Sequence, residues 1–172
     1  MSDRRSRSRW GLFALVAVVT IALDQATKTL VAGQLDIGES AAIIGTLLVV
    51  VHGQNNGALF GLLGRSAPLL AILTPLVVGA IVWYQARAGS SPLVAVALGL
   101  LLGGAIGNLI DRARLGYVLD WVDAGIGGLR FWTFNVADAA ITVAILLLLL
   151  LAAVPQLAEL GGPRPSMDAG DA

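Results

Sequence analysis

The 172-residue chain has no cysteine, one histidine and one lysine, and only 13% of its residues are charged. Without cysteine it forms no disulfide, carries no thiolate nucleophile and holds no Cys-ligated zinc or iron–sulfur centre. A lone His52 leaves little room for a His-based metal site or a His-containing triad. Eleven acidic and eleven basic residues cancel to zero, so the net positive field expected of a nucleic-acid binder is missing. What is abundant is apolar surface: 57% of the chain is hydrophobic, against about 45–50% in soluble domains. A water-soluble globule is a poor reading of this composition.

A helix crosses the bilayer with about 20 mostly apolar residues, and four stretches approach that length: about 10–32, 67–85, 93–110 and 135–154. The first is interrupted by Asp24, Gln25 and Lys28; the second contains Pro75, which membrane helices tolerate as a kink. Ser90-Ser91-Pro92 opens the third and Pro155 stops the fourth. The expected fold is an all-α membrane protein of four spans, a single membrane domain over 1–155, with a disordered cytoplasmic tail over 156–172. Two connecting segments, 33–66 and 111–134, are too long for simple turns. Within the first, Ala41 to Val51 is rich in Ile and Val and too short to span as a helix, which predicts a strand in a small β-rich or amphipathic element at the outer membrane surface. No internal repeat is present.

Arg4, Arg5, Arg7 and Arg9 precede the first span, and the positive-inside rule holds that end in the cytoplasm. Four spans return the carboxyl terminus to the same side. A cleaved signal peptide is disfavoured, because Asp24 and Lys28 sit where cleavage would fall.

Alternating direction brings the end of span one, the end of span three and the start of span four to one membrane face. The polar residues gather there: Asp24, Gln25 and Lys28; Asn108, Asp111 and Arg112; Asn135 and Asp138; and, in the loops, Asn55, Asn56, Asp120 and Asp123. Ionisable groups beside hydrocarbon are costly and mark function by default. Each cluster also has a plainer reading. Asp24 and Lys28 are four apart, an ion pair on one helix face. Asp111 beside Arg112 fits interfacial anchoring as well as it fits a site. Asp138, one turn into an apolar span, is costly unless paired, and favours function. His52 reads as a partly exposed loop residue, and Trp10, Trp83, Trp121 and Trp132 as interfacial belts. Gly103 and Gly107 suit close helix packing rather than a phosphate loop.

Four blocks in this order resemble the lipoprotein signal peptidase (signal peptidase II) family. Asp24-Gln25-Ala26-Thr27-Lys28 is similar to its D-Q-x-x-K and Asn55-Asn56-Gly57-Ala58-Leu59-Phe60 to its N-x-G-A-x-F. The run from Gly103 through Asn108 to Asp111-Arg112, followed by Val118-Leu119-Asp120-Trp121, resembles G-G-x-x-G-N-x-x-D-R and V-x-D-F, with Trp121 replacing Phe. Phe134-Asn135-Val136-Ala137-Asp138 resembles F-N-x-A-D. The resemblance implies a bacterial inner-membrane aspartyl endopeptidase that cuts diacylglyceryl-modified prolipoproteins before the lipidated cysteine. It places the catalytic pair at Asp120 and Asp138, a choice that the residues alone leave open among Asp120, Asp123 and Asp111. It further implies substrate binding or site support from Asn55, Gly57, Asn108, Asp111, Arg112 and Asn135, structural support from Asp24 and Lys28, and no metal or cofactor. Its expected partners are the lipidated precursors and membrane lipids, no nucleic acid, with a monomer compatible. Both termini would be cytoplasmic and the site periplasmic. Two rivals are a Ser/Lys peptidase using Lys28 with Ser40 or Ser66, and an ion or proton translocator using Asp24, Asp111 and Asp138.

Overall fold

The computed structural model describes residues 2–57, 67–88 and 91–159. In chain order the elements are α1 (Ser2–Ala32), β1 (Ser40–Ile44), β2 (Leu48–Asn55), α2 (Ala67–Ala88), α3 (Pro92–Leu115), β3 (Val118–Ile126), β4 (Leu129–Arg130), α4 (Val136–Ala153) and α5 (Pro155–Glu159). Among the described residues three helical stretches, 9–32, 92–115 and 136–153, are long and apolar enough to cross a membrane, and Ile72–Arg87 of α2 is a shorter apolar segment. The outward faces of these helices carry exposed leucine, isoleucine and valine, among them Leu15, Val18, Ile72, Leu76, Leu146 and Leu149. In water such surfaces would be strongly unfavourable; against acyl chains they are not.

Helix α3 is the central element, with α1, α2 and α4 packed on it. Small residues allow the close approach. A Cβ added at Gly99 would lie 2.8 Å from the Phe13 carbonyl oxygen, at Gly103 2.6 Å from Thr20 Cβ, and at Gly107 2.6 Å from Asp24 Oδ2. These three positions, four residues apart, form one stripe facing α1. Gly104, one residue round the helix, faces α4, where an added Cβ would meet the Ala137 carbonyl oxygen and Ile141. The close contact expected at Gly103 and Gly107 is therefore one turn longer than the sequence suggested.

Several boundaries differ from expectation. α3 runs past 110 to Leu115, so Asp111 and Arg112 are helical, and it ends where Gly116 takes φ +81 and returns its N–H to the Arg112 carbonyl. Asn135 is the N-cap of α4 and not its first turn. Pro155 ends α4 but also starts α5, so part of the expected tail, 156–159, is helical; residues 160–172 lie outside the described residues.

Of the two forms expected for the element outside the helices, β-rich or amphipathic, the structure has the β-rich one. The two connecting segments pair with each other as an antiparallel sheet of order β1-β2-β3-β4. Ala41–Val51 is not one strand: it folds back at Gly45, whose φ of +50 suits glycine, into a hairpin with Ser40 opposite Val51 and Ile44 opposite Leu48. β2 pairs with β3, Gly53 opposite Asp120 and Asn55 opposite Val118. His52 is a buried strand residue, contrary to its loop reading, because the turn after α1 folds over β2. Its backbone pairs with Gly38 and Glu39, and its Nδ1 lies 2.9 Å from the Leu35 carbonyl oxygen.

Candidate active site

The start of β3, the start of α4, the last turns of α3 and the end of β2 meet at a cavity of about 730 Å³. Asp120 and Asp138 both line it. Period-two alternation along β3 decides which acid points inward: Asp120 faces the cavity, whereas Asp123, an odd number of residues on, pairs with Arg130 at 2.8 Å. Arg130 also donates to the Thr46 carbonyl, so this second pair fastens the β3–β4 hairpin to the β1–β2 turn.

Three asparagines hold the two carboxyls. Asn55 Nδ2 donates to Asp120 Oδ2 at 2.9 Å and Asn135 Nδ2 to Asp120 Oδ1 at 2.7 Å. Asn108 Nδ2 donates to Asp138 Oδ1 at 2.8 Å, and the Asn135 backbone N–H to Asp138 Oδ2 at 3.2 Å. In return Asp138 N–H donates to Asn135 Oδ1 at 2.9 Å, which completes a capping box at the start of α4. One residue, Asn135, thus bridges both acids. Burial, and then the charge of Asp138, push the Asp120 carboxyl up to about 7; the amides of Asn55 and Asn135 and the Lys28 ammonium pull the other way.

Behind this layer lies a buried ionic one. Lys28 Nζ is 2.8 Å from Asp24 Oδ2 and 2.8 Å from Asp111 Oδ2. Gln25 donates to Asp111 Oδ1 at 3.0 Å, and Asp111 Oδ2 accepts the Leu119 N–H at 3.1 Å, one residue before Asp120. Asp24 Oδ1 accepts the Ala137 N–H at 3.0 Å, one residue before Asp138. A charge at that depth persists only when its partners satisfy it; here Asp24 ties α1 directly to α4 beside Asp138, and Lys28 and Gln25 reach the strand beside Asp120 through Asp111 of α3.

Signal peptidase (SPase) II is the family whose model matches residues 16–154. The chain belongs to the signal peptidase II family. Among its relatives, lipoprotein signal peptidase of Geobacillus kaustophilus is 44% identical over 134 residues, 77% of this chain and 87% of the relative. Lipoprotein signal peptidase of Halalkalibacterium halodurans is 43% identical over 140 residues, 81% of this chain and 90% of the relative. A solved bacterial membrane enzyme superposes with TM-score 0.77 at 32% identity, over 90% of this chain and 94% of the other.

In this signal peptidase II chain the residues singled out from sequence fall into two groups. Asn55, Gly57, Asn108, Arg112, Asp120 and Asp138 line the cavity, and Asn135 lies directly behind it. Asp24, Lys28 and Asp111 form the ionic layer, so Asp111 stands with the support and not on the cavity wall. Arg112 reaches the Gly57 carbonyl oxygen at 3.3 Å and so holds the end of the β2 loop. The Ser/Lys rival finds no assembled pair, since Lys28 is committed to two carboxylates and Ser40 is exposed on β1; Ser66 lies outside the described residues. The acids of the translocator reading sit together at one end of the helices.

Sequence reasoning missed the apolar wall. Ile141, Thr142 and Ile145 continue the face of Asp138 down α4, Ala105 lies one turn before Asn108, and Thr74 and Val77 come from α2. The helical spacing 138, 141, 142, 145 was a signal that could have found them. Trp132, exposed as a belt residue would be, also lines the cavity mouth.

Proposed function

We propose that Asp120 and Asp138 form the catalytic dyad of this chain. As a signal peptidase II it is a membrane aspartic peptidase that removes signal peptides from lipoproteins. The observation that carries the assignment is the pair of carboxyls on one cavity, joined through Asn135 and supplied with N–H donors at all four oxygens. Two buried carboxyls so coupled share one proton. The ionised one removes a proton from a water as its oxygen attacks the scissile carbonyl; the protonated one gives its proton to the carbonyl oxygen, leaving a gem-diol. Collapse of the gem-diol breaks the C–N bond, a proton passes to the departing amine, and the dyad returns to its single-proton state.

The substrate in this reading is a diacylglyceryl-modified prolipoprotein, cut before the lipidated cysteine. The helical segments 9–32, 67–88, 92–115 and 136–153 are four spans of one membrane domain over 1–155. Both termini are cytoplasmic, the sheet and dyad lie at the outer face of the bacterial inner membrane, and the working unit is a monomer. The apolar walls from α2 and α4 then meet acyl chains or the signal segment, while the polar end of the cavity admits water. Asn55, Gly57, Asn108, Arg112 and Asn135 set the dyad and the peptide in place.

The test uses purified protein with a diacylglyceryl precursor and a non-lipidated control. Asp120→Asn and Asp138→Asn should each lower cleavage of the lipidated precursor by about 10²-fold or more, with the control uncut throughout. Full cleavage by either correctly inserted variant would refute the dyad.

A further inference from the structure

The amide directions at the dyad are set from behind. Asn55 Oδ1 accepts the Gly57 N–H at 3.0 Å and Asn135 Oδ1 accepts the Asp138 N–H at 2.9 Å, so in both residues the NH₂ must face the carboxyls. These locks are backbone groups. Asn108 differs: its Oδ1 accepts from two donors, Asn135 Nδ2 at 3.3 Å and the Lys28 ammonium at 3.2 Å, and of these only the ammonium is charged. An ammonium only donates, so it accepts no amide direction except Oδ1 toward Nζ and Nδ2 toward Asp138.

We infer that Lys28 is a positioning residue for the dyad: by fixing and polarising the Asn108 amide it holds Asp138 as the carboxylate, leaving the shared proton on Asp120. This rests on the dyad reading above. The two acids differ in surroundings as well. Asp138 sits at the third residue of α4, where the helix N-terminus favours an anion, and one of its two donors is a backbone N–H. Asp120 is 1% exposed, lies on a strand and receives two neutral side-chain amides. The charged groups around Asp138 are Asp120 from β3, Lys28 and Asp24 from α1, and Arg112 and Asp111 from α3. Asp24 and Asp111 are paired with Lys28, so its ammonium also screens Asp138 from them. The lysine therefore acts on the base through the Asn108 amide.

The measurement is the pH dependence of kcat/KM on the lipidated precursor. In this assignment the acid limb reports protonation of Asp138 and the alkaline limb loss of the Asp120 proton. Lys28→Met should move the acid limb upward by about one pH unit, with the alkaline limb moving less. Because that change leaves Asp24 and Asp111 facing each other, Lys28→Met/Asp111→Asn, read against Asp111→Asn alone, gives the same comparison at one less buried charge. Asn108→Ala keeps both ion pairs and should show the same acid-limb shift, and Lys28→Arg should restore the original limb. A lower plateau with both limbs in place would reduce Lys28 to a structural prop and overturn the inference. An alkaline limb that moves instead would put the proton on Asp138 and overturn it equally. Cleavage persisting in Asp120→Asn or Asp138→Asn would sink the dyad reading itself, a different failure.

Discussion

Asn135 performs two tasks with opposite ends of one amide: Oδ1 caps α4 and Nδ2 reaches Asp120, the Leu119 carbonyl and Asn108. A serine there retains a cap acceptor but has no NH₂ to reach the strand. Asn135→Ser should therefore lower cleavage by about 10²-fold, while Asn135→Ala loses the cap as well and about 1 kcal/mol more stability. Thermal unfolding in detergent separates the pair; equal melting temperatures would refute the cap's share. Asp120 also gives the fold a pH dependence. Its native carboxyl keeps a proton up to about 7, whereas an ordinary one, at 3.8, has released it. The folded state binds more protons across that window, so this contribution is complete below the ordinary value, falls as pH rises and is lost above about 7. Wild-type protein should thus lose more melting temperature between pH 5 and pH 8 than Asp120→Asn, by a few degrees; parallel pH profiles would refute it.

At the scale of elements, the close packing of α3 carries the ionic layer. A methyl at Gly107 would sit 2.6 Å from Asp24 Oδ2, the carboxylate that binds Lys28, whereas a methyl at Gly79 of α2 meets nothing within 4 Å. Gly107→Ala should destabilise by about 1–3 kcal/mol through overpacking, and Gly79→Ala should be neutral or stabilising by up to about 1 kcal/mol. The four long helices were legible from apolar run length; α5 was not, because Pro155–Glu159 carries no such run. The sheet was only half legible: the Ile/Val run between Ala41 and Val51 reads as strand, but its fold-back at Gly45 and its pairing through β2 to β3 depend on a partner far along the chain. His52 was misread for the same reason, since a local window does not show the turn after α1 closing over it.

For the whole molecule, the absence of cysteine makes the arrangement across the membrane directly testable. Ile126, 77% exposed at the β3–β4 turn, and Ala86, exposed near the end of α2, lie toward opposite ends of the helices. In spheroplasts, Ile126→Cys should react with a membrane-impermeant maleimide from outside, and Ala86→Cys only after permeabilisation. The reverse pattern would invert the proposed topology.

The sequence by itself determined that the chain is built from apolar helices, that its polar residues gather toward one end, and that cysteine and multi-histidine chemistry are excluded. These follow from run length, alternation of direction and composition, which are local or additive properties. The family resemblance singled out Asp120, but only the tertiary structure gave three aspartates their different physical surroundings. Asp111 went to Lys28, Asp123 to Arg130, and Asp120 to the cavity with Asp138. That division is made by alternation along β3, which is local, and by the contacts of α1 with α3 and α4, which no single segment encodes. The physical reason is that a buried carboxyl is defined by its partners, and these lie 15 and 65 positions away for Asp120, 30 for Asp138 and 86 for Asp111.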